Sequence, residues 1–336
     1  MKEYILNNII TKFIKKKFLI IIIIIFIIII IKNEHRINYG LSDTKKMKNY
    51  KTKFFSIVRR LDCPKCGFFS YYLVHLGCIN KLLSKGLIPV VDLKSFPNVY
   101  NSENSSIINP WELFFYQPYN YTLEEVEKFA KNVEYFNCKP DIYRPNEKTI
   151  YYDNNLIAFW HNFTKKFSPI KNEIINEAKN EAKKLFGDSK NILGVKIRGT
   201  DYLSLRPKYH SIQPKVEQVI SDVKYMDKMY KYDFIFFSTE DESIKQKFVS
   251  KFGRKLKLLN PNVVIQYNIN DKYPINSHKK IYGNLYYNKN YLLNIIILAN
   301  CLDIITSRCG GAAGIFILSN GFRHIKVYNL GIYKNY

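Results

Sequence analysis

Residues 18–31 form an unbroken apolar run, almost all isoleucine, bracketed by Lys15, Lys16 and Lys17 before it and Lys32 after it. A helix of that composition has no polar face to show water, so it belongs in a bilayer or under heavy cover. Fourteen helical residues span only about 21 Å, short of the roughly 30 Å hydrocarbon core. Snorkelling lysines and the Phe13-Ile14 turn can extend the reach. A cleaved signal peptide has an apolar core of similar length. Here, though, Lys32-Asn33-Glu34-His35-Arg36 follows directly, with no small-x-small pair. We therefore expect an uncleaved single-pass anchor. The lysine triplet favours a cytosolic N-terminus, although Arg36, Lys45, Lys46 and Lys48 make the far side nearly as basic. The expected arrangement is type II, with a basic tail over 1–17 and the anchor over 18–31. A polar, aperiodic stem covers 32–53, and the globular part is lumenal (Golgi or ER in a eukaryote).

The 336 residues carry a formal charge of +24 with 47% hydrophobic content. That apolar fraction argues against a disordered chain. The basicity invites a nucleic-acid reading, but Lys, Asn, Ile and Tyr are enriched together, as an AT-rich genome produces. No nucleic-acid-binding module is recognisable, and no nucleic-acid partner is expected. A basic cleft would equally suit an anionic nucleotide diphosphate. Cys63-Pro64-Lys65-Cys66 has the spacing of half a zinc site or of a redox pair. No second CxxC or HxxxH completes four ligands, so a local disulfide or free thiols are expected, and no metal.

Past the stem, a strand over 54–60 leads through the Cys63–Gly67 loop to a helix over 71–84, stopped at Gly86, and a strand over 87–92. Strand, glycine-bearing loop, helix, strand is the pattern of a parallel sheet. Residues 94–122 read as irregular around an aromatic cluster at 111–116. The pattern returns with a helix over 171–186, a strand over 192–198, a helix over 214–230 and a strand over 233–238. A helix over 242–252, a helix over 291–299, a strand over 302–306, a helix over 312–318 and a strand over 324–328 complete it. Two βα series argue for an α/β fold of two Rossmann-like domains facing across a cleft, over 54–150 and 151–336.

Ligands of open α/β sheets bind at the carboxyl ends of strands, and three polar clusters fall there. Arg198 follows the 192–198 strand, with Gly199, Thr200 and Asp201 turning after it. A planar guanidinium matches diphosphate oxygens, although Arg198 and Asp201 could equally form a surface ion pair. Ser238, Thr239, Glu240 and Asp241 follow the next strand. They could read ribose or a base edge, or serve as a helix cap. Thr306-Ser307-Arg308-Cys309-Gly310-Gly311 opens a helix with small residues that let a phosphate approach backbone N–H groups. It is neither a Walker A loop nor GxGxxG, and tight packing alone would also call for small residues.

With these clusters in place, the chain resembles the fucosyltransferase-like glycosyltransferases of GT-B fold, which include α1,2-, α1,6- and protein O-fucosyltransferases. Their hallmark His-x-Arg-x-x-Asp stands here as Lys196-Ile197-Arg198-Gly199-Thr200-Asp201. Their acidic cluster looks like Ser238 to Asp241, their Ser/Thr-rich turn like Thr306 to Gly311, and their N-terminal glycine loop like the Gly67 loop. The resemblance spans about residues 54–332 in motif order. It implies an inverting, metal-independent transfer of a sugar, fucose from GDP-fucose foremost, onto a glycan or glycoconjugate hydroxyl. Arg198 and Asp201 would be catalytic; Arg198, Ser238, Thr239, Glu240, Asp241, Ser307, Gly310 and Gly311 would hold the nucleotide sugar, with no further cofactor. Two departures stand out: Lys196 replaces the His, and Gly199 replaces the second Arg of Arg-Arg-Gly-Asp versions. The first keeps open a catalytically inactive carbohydrate-binding relative. For the acceptor's base, Asp201, Glu240, Asp241, His75 and Glu112 are all candidates.

Overall fold

The computed structural model describes residues 50–63, 66–98, 100, 108–199, 201–204, 206–259 and 284–334. The tail, the anchor and most of the stem expected from the sequence lie outside them. Among the described residues no helix is long and apolar enough to cross a membrane.

The first half is built from β1 (Phe54–Arg59), α1 (Phe68–Ser84) and β2 (Ile88–Val91), then α2 (Trp111–Phe114), α3 (Leu123–Phe129) and β3 (Asn132–Asn137). Strand β1 takes β2 on one side and β3 on the other, all parallel, in the order β2-β1-β3. Helix α3 opens with a reciprocal cap: the Thr122 side chain accepts from Glu125 N, and the Glu125 carboxylate accepts from Thr122 N. No part of β3 is fully buried, so its sequence lacks the apolar run that announces β1 and β2.

The second half continues with α4 (Asn154–Phe167), α5 (Asn172–Phe186), β4 (Ile192–Lys196), α6 (Asp201–Ser204), α7 (Val216–Tyr230) and β5 (Phe234–Ser238). After these come α8 (Glu242–Phe252), β6 (Leu256–Lys257), α9 (Asn284–Ala299), β7 (Asp303–Ser307), α10 (Gly310–Leu318) and β8 (Ile325–Tyr328). The five strands form one parallel sheet in the order β6-β5-β4-β7-β8. Strand β4 is buried along its whole length, as a central strand covered on both faces must be. Side chains alternate across it. Leu193, Val195, Ile235, Phe237 and Ile305 pack with α7 and α8, through Val219, Val223, Ile244 and Phe248. Ile192, Phe236 and Ile304 face the other layer, with α9, α10 and Trp160 of α4. Gly194 lies on that second face, where a Cβ would stand 2.9 Å from Ile304 Cδ1.

One apolar core joins the halves: Phe69, Tyr72 and Trp111 belong to the same cluster as Ile304, Phe316 and Ile317. Cys63 and Cys66 form the local disulfide. A second disulfide, Cys78–Cys138, ties α1 to the residue after β3, while Cys301 and Cys309 are buried free thiols.

Candidate active site

The chain steps from β4 outward to β5 and β6, then returns to β7 on the opposite side of β4. Connections on the two sides of such a reversal leave for opposite faces of the sheet, and a crevice opens between them at the carboxyl ends. Lys196, the last residue of β4, stands level with Ser238 of β5 and Thr306 of β7. All three polar clusters therefore lie along one edge of the sheet, with Arg198 and the Gly310 turn flanking the reversal.

Arg198 sits just past β4. Its Nη1 is 3.2 Å from Glu240 Oε2, with one fifth of the arginine side chain exposed, and its guanidinium lies 4.8 Å from the Tyr202 ring centre. A partly screened pair of this kind fixes a guanidinium plane more than it stabilises the fold. Gly199 is sterically required, because a Cβ there would come within 2.7 Å of both Asp241 Cβ and Ile244 Cδ1. An arginine has no room at that position, which accounts for one of the two departures. Asp201 opens α6; its side chain is outside the described atoms.

In the second cluster the roles divide. Ser238 and Thr239 are buried. Asp241 caps α8, accepting from Ile244 N at 3.1 Å and from Ser243 Oγ at 2.7 Å. Glu240 turns its carboxylate to Arg198. In the third cluster Ser307 is buried and its hydroxyl donates to Gln213 Oε1. Arg308 is also turned inward, with Nη2 donating to Gly331 O at 2.8 Å and Nη1 to Lys148 O at 3.4 Å. It straps the turn to two distant loops. Cys309 caps α10 through its sulfur, and Tyr151 Oη both donates to Cys309 O and accepts from Cys309 N. Gly310 and Gly311 open α10.

Tyr291 belongs to this site although no motif marks it. Its ring centre is 4.9 Å from Lys196 Nζ. A Cβ on Gly311 would collide with Tyr291 Oη and stand 2.9 Å from Lys196 Cε. Burial raises the Tyr291 phenol well above its usual range, with the nearby Glu240 charge pushing the same way. Tyr151 and Gln213 are likewise site members from distant segments. The one signal for Tyr291 in the sequence is the four-residue spacing from Tyr287, which puts two tyrosines on one helical face.

The candidates from the first half are structural. His75 is fully buried, with Nδ1 2.8 Å from Tyr71 O and its ring stacked on that of Tyr71. Burial pulls its pKa down to about 4. Glu112 Oε1 accepts from Asn109, Gln117 and the Leu123 amide, which pins the 109–123 segment.

No protein-family model and no curated protein sequence matches the chain. Solved structures do. POFUT1 in complex with GDP superposes with a TM-score of 0.51 at 10% identity, covering 82% of this chain and 99% of that one. NodZ α-1,6-fucosyltransferase soaked with GDP-fucose gives 0.47 at 14% identity, covering 80% and 93%. NodZ from Bradyrhizobium gives 0.46 at 12% identity. Parallel sheets in the two halves, a strand reversal at β4 and the superposition on POFUT1 together establish that the chain has a fucosyltransferase-like GT-B glycosyltransferase fold.

Proposed function

We propose that this chain is a glycosyltransferase that moves a sugar, fucose from GDP-fucose, onto a hydroxyl of a glycan or glycoconjugate, with inversion and without a metal ion. The observation that carries the reading is that Arg198 and the start of α10 each follow the carboxyl end of one of two paired strands, β4 and β7. Breaking the bond between sugar and diphosphate builds negative charge on the leaving phosphate. A fixed guanidinium and the amides of a helix N-terminus oppose that charge without reorganising. In this reading Arg198 takes the leaving group and Asp201, on the same loop, takes the acceptor proton. Ser238, Thr239 and Glu240 line the nucleotide side, with Asp241 shaping them as the cap of α8. Ser307 holds the turn that presents Gly310 and Gly311. The GDP named for POFUT1 supports a guanine nucleotide as the donor's carrier. The apolar run over 18–31 supports a type II membrane anchor, and the two disulfides support a lumenal, oxidising compartment.

The test is a panel of GDP- and UDP-sugars offered to the full chain, reading nucleotide release and sugar transfer with and without EDTA. GDP-fucose is expected to be consumed in either condition, and Arg198→Ala to lower the rate by about 100-fold or more. Absence of binding to every nucleotide sugar would overturn the assignment.

A further inference from the structure

Lys196 is 1% exposed, and its ammonium has no hydrogen-bond partner among the described residues. A buried ammonium is costly unless its three N–H groups and its charge are met. The Tyr291 ring, 4.9 Å away, offers a cation–π contact but accepts none of those hydrogens in the way an oxygen would. Methionine would fill the same space without the penalty. A charge held under those terms points to an anion that is present only when a ligand is bound.

The position says which anion. Lys196 ends β4 at the strand reversal, and its Cε lies 2.9 Å from where a Cβ on Gly311 would stand. The ammonium stem thus runs beside the first turn of α10, a nine-residue helix. The opening amides of a helix have no partner within it and favour phosphate. Arg198, two residues on, is held by Glu240 at the rim. One cation lies below the crevice and one beside it, two charges for two phosphoryl groups.

We propose that Lys196 binds the diphosphate of a nucleoside diphosphate donor, sharing one phosphoryl group with the Gly310 and Gly311 amides while Arg198 takes the other; this rests on the nucleotide-sugar reading above. Tyr291 Oη fills the space beside Gly311, so an arriving phosphate oxygen takes the place of that hydroxyl and the ring shifts with it. The lysine in place of histidine is then a gain of permanent charge on the leaving group, not a loss of function.

The test uses the full chain, wild type and Lys196→Met, with inorganic pyrophosphate, GDP and GMP as titrants and thermal denaturation alongside. Lys196→Met is expected to weaken pyrophosphate and GDP binding by about tenfold or more, to weaken GMP binding less, and to raise the melting temperature of the free protein. Unchanged affinity for pyrophosphate and GDP, or a lower melting temperature without ligand, overturns the proposal. The two readings fail separately. Lys196-dependent pyrophosphate binding without transfer from any nucleotide sugar sinks the transferase and leaves this site standing. Full transfer and full GDP affinity in Lys196→Met do the reverse.

Discussion

Phe69, in the first turn of α1, places its ring in the notch that Gly314 leaves on α10, where a Cβ would come within 2.8 Å of Phe69 Cζ and closer still to Cε1. The contact joins the first half of the chain to the helix whose start is the proposed donor site. Gly314→Ala gains about 1 kcal/mol of helix propensity, but overpacking against a fully buried aromatic costs about 1–3 kcal/mol. The expected result is a net loss of stability in urea denaturation, recovered in part by Phe69→Leu. Gly310 has only ordinary contacts with Phe69, at 3.6 Å and beyond, so Gly310→Ala should leave stability nearly unchanged. Equal effects at the two positions would show that Phe69 does not discriminate between them.

His75 gives the fold an acid-sensitive term. Its pKa is about 4 in the folded protein because burial disfavours the charged ring, against about 6.5 unfolded. Below pH 6.5 the unfolded chain takes up the proton first, so stability is fully present above that pH and is lost as pH falls toward 4. Between pH 7.5 and pH 5 the loss amounts to about 2 kcal/mol. His75→Leu should flatten that part of the profile in denaturant titrations at the two pH values. An unchanged slope would show that other groups carry it.

The two disulfides should respond differently to reductant. Cys78 and Cys138 are fully buried and close a long loop, a sequence separation of 60; Cys63 and Cys66 are half-exposed and three apart. Alkylation mass spectrometry during a dithiothreitol titration of the native protein should show Cys63 and Cys66 labelled first. Replacing Cys78 and Cys138 by serine should cost about 2–5 kcal/mol. The reverse order of labelling would contradict the burial.

Glu240 and Asp241 are neighbours with separable duties. Asp241→Ala removes the cap on Ile244 N and is expected to cost about 1 kcal/mol, with Asp241→Asn restoring most of it. Glu240→Gln removes the carboxylate charge that pairs with Arg198 and should alter donor binding while leaving the melting temperature within about 2 °C. The comparison requires both readouts on both variants.

What the sequence made legible follows from burial. Strands β1, β2, β4, β5 and β7 are largely apolar runs alternating with helices, and their parallel pairing is the one that alternation implies. Strand β3 has the pattern of half-exposed surface and gives no such run. Helix α4 is led by Asp153, whose carboxylate accepts from Leu156 N, and it carries Leu156, Trp160, Phe163 and Phe167 at helical spacing, a signal the expected elements left out. At the site, Arg198 and Glu240 lie beside strand ends and could be found from the chain alone. Tyr291, Tyr151 and Gln213 could not, since each reaches the crevice from an element placed by tertiary packing. Ser307 points to Gln213 for the same reason: a strand's pleat decides which side its last residue faces, and one residue's shift in register reverses it.

The order in which the sheet is threaded has a consequence for synthesis. Strand β4 emerges first, β5 and β6 are laid on one flank, and only then do β7 and α10 arrive on the other. A ribosome that has made residues 1–300 has supplied Arg198, Glu240 and Tyr291 but neither wall of the crevice on the β7 side. The pocket is therefore completed only once β7 and the start of α10 have joined the sheet, and nascent chains stopped before residue 310 would carry a guanidinium with no helix start to work against.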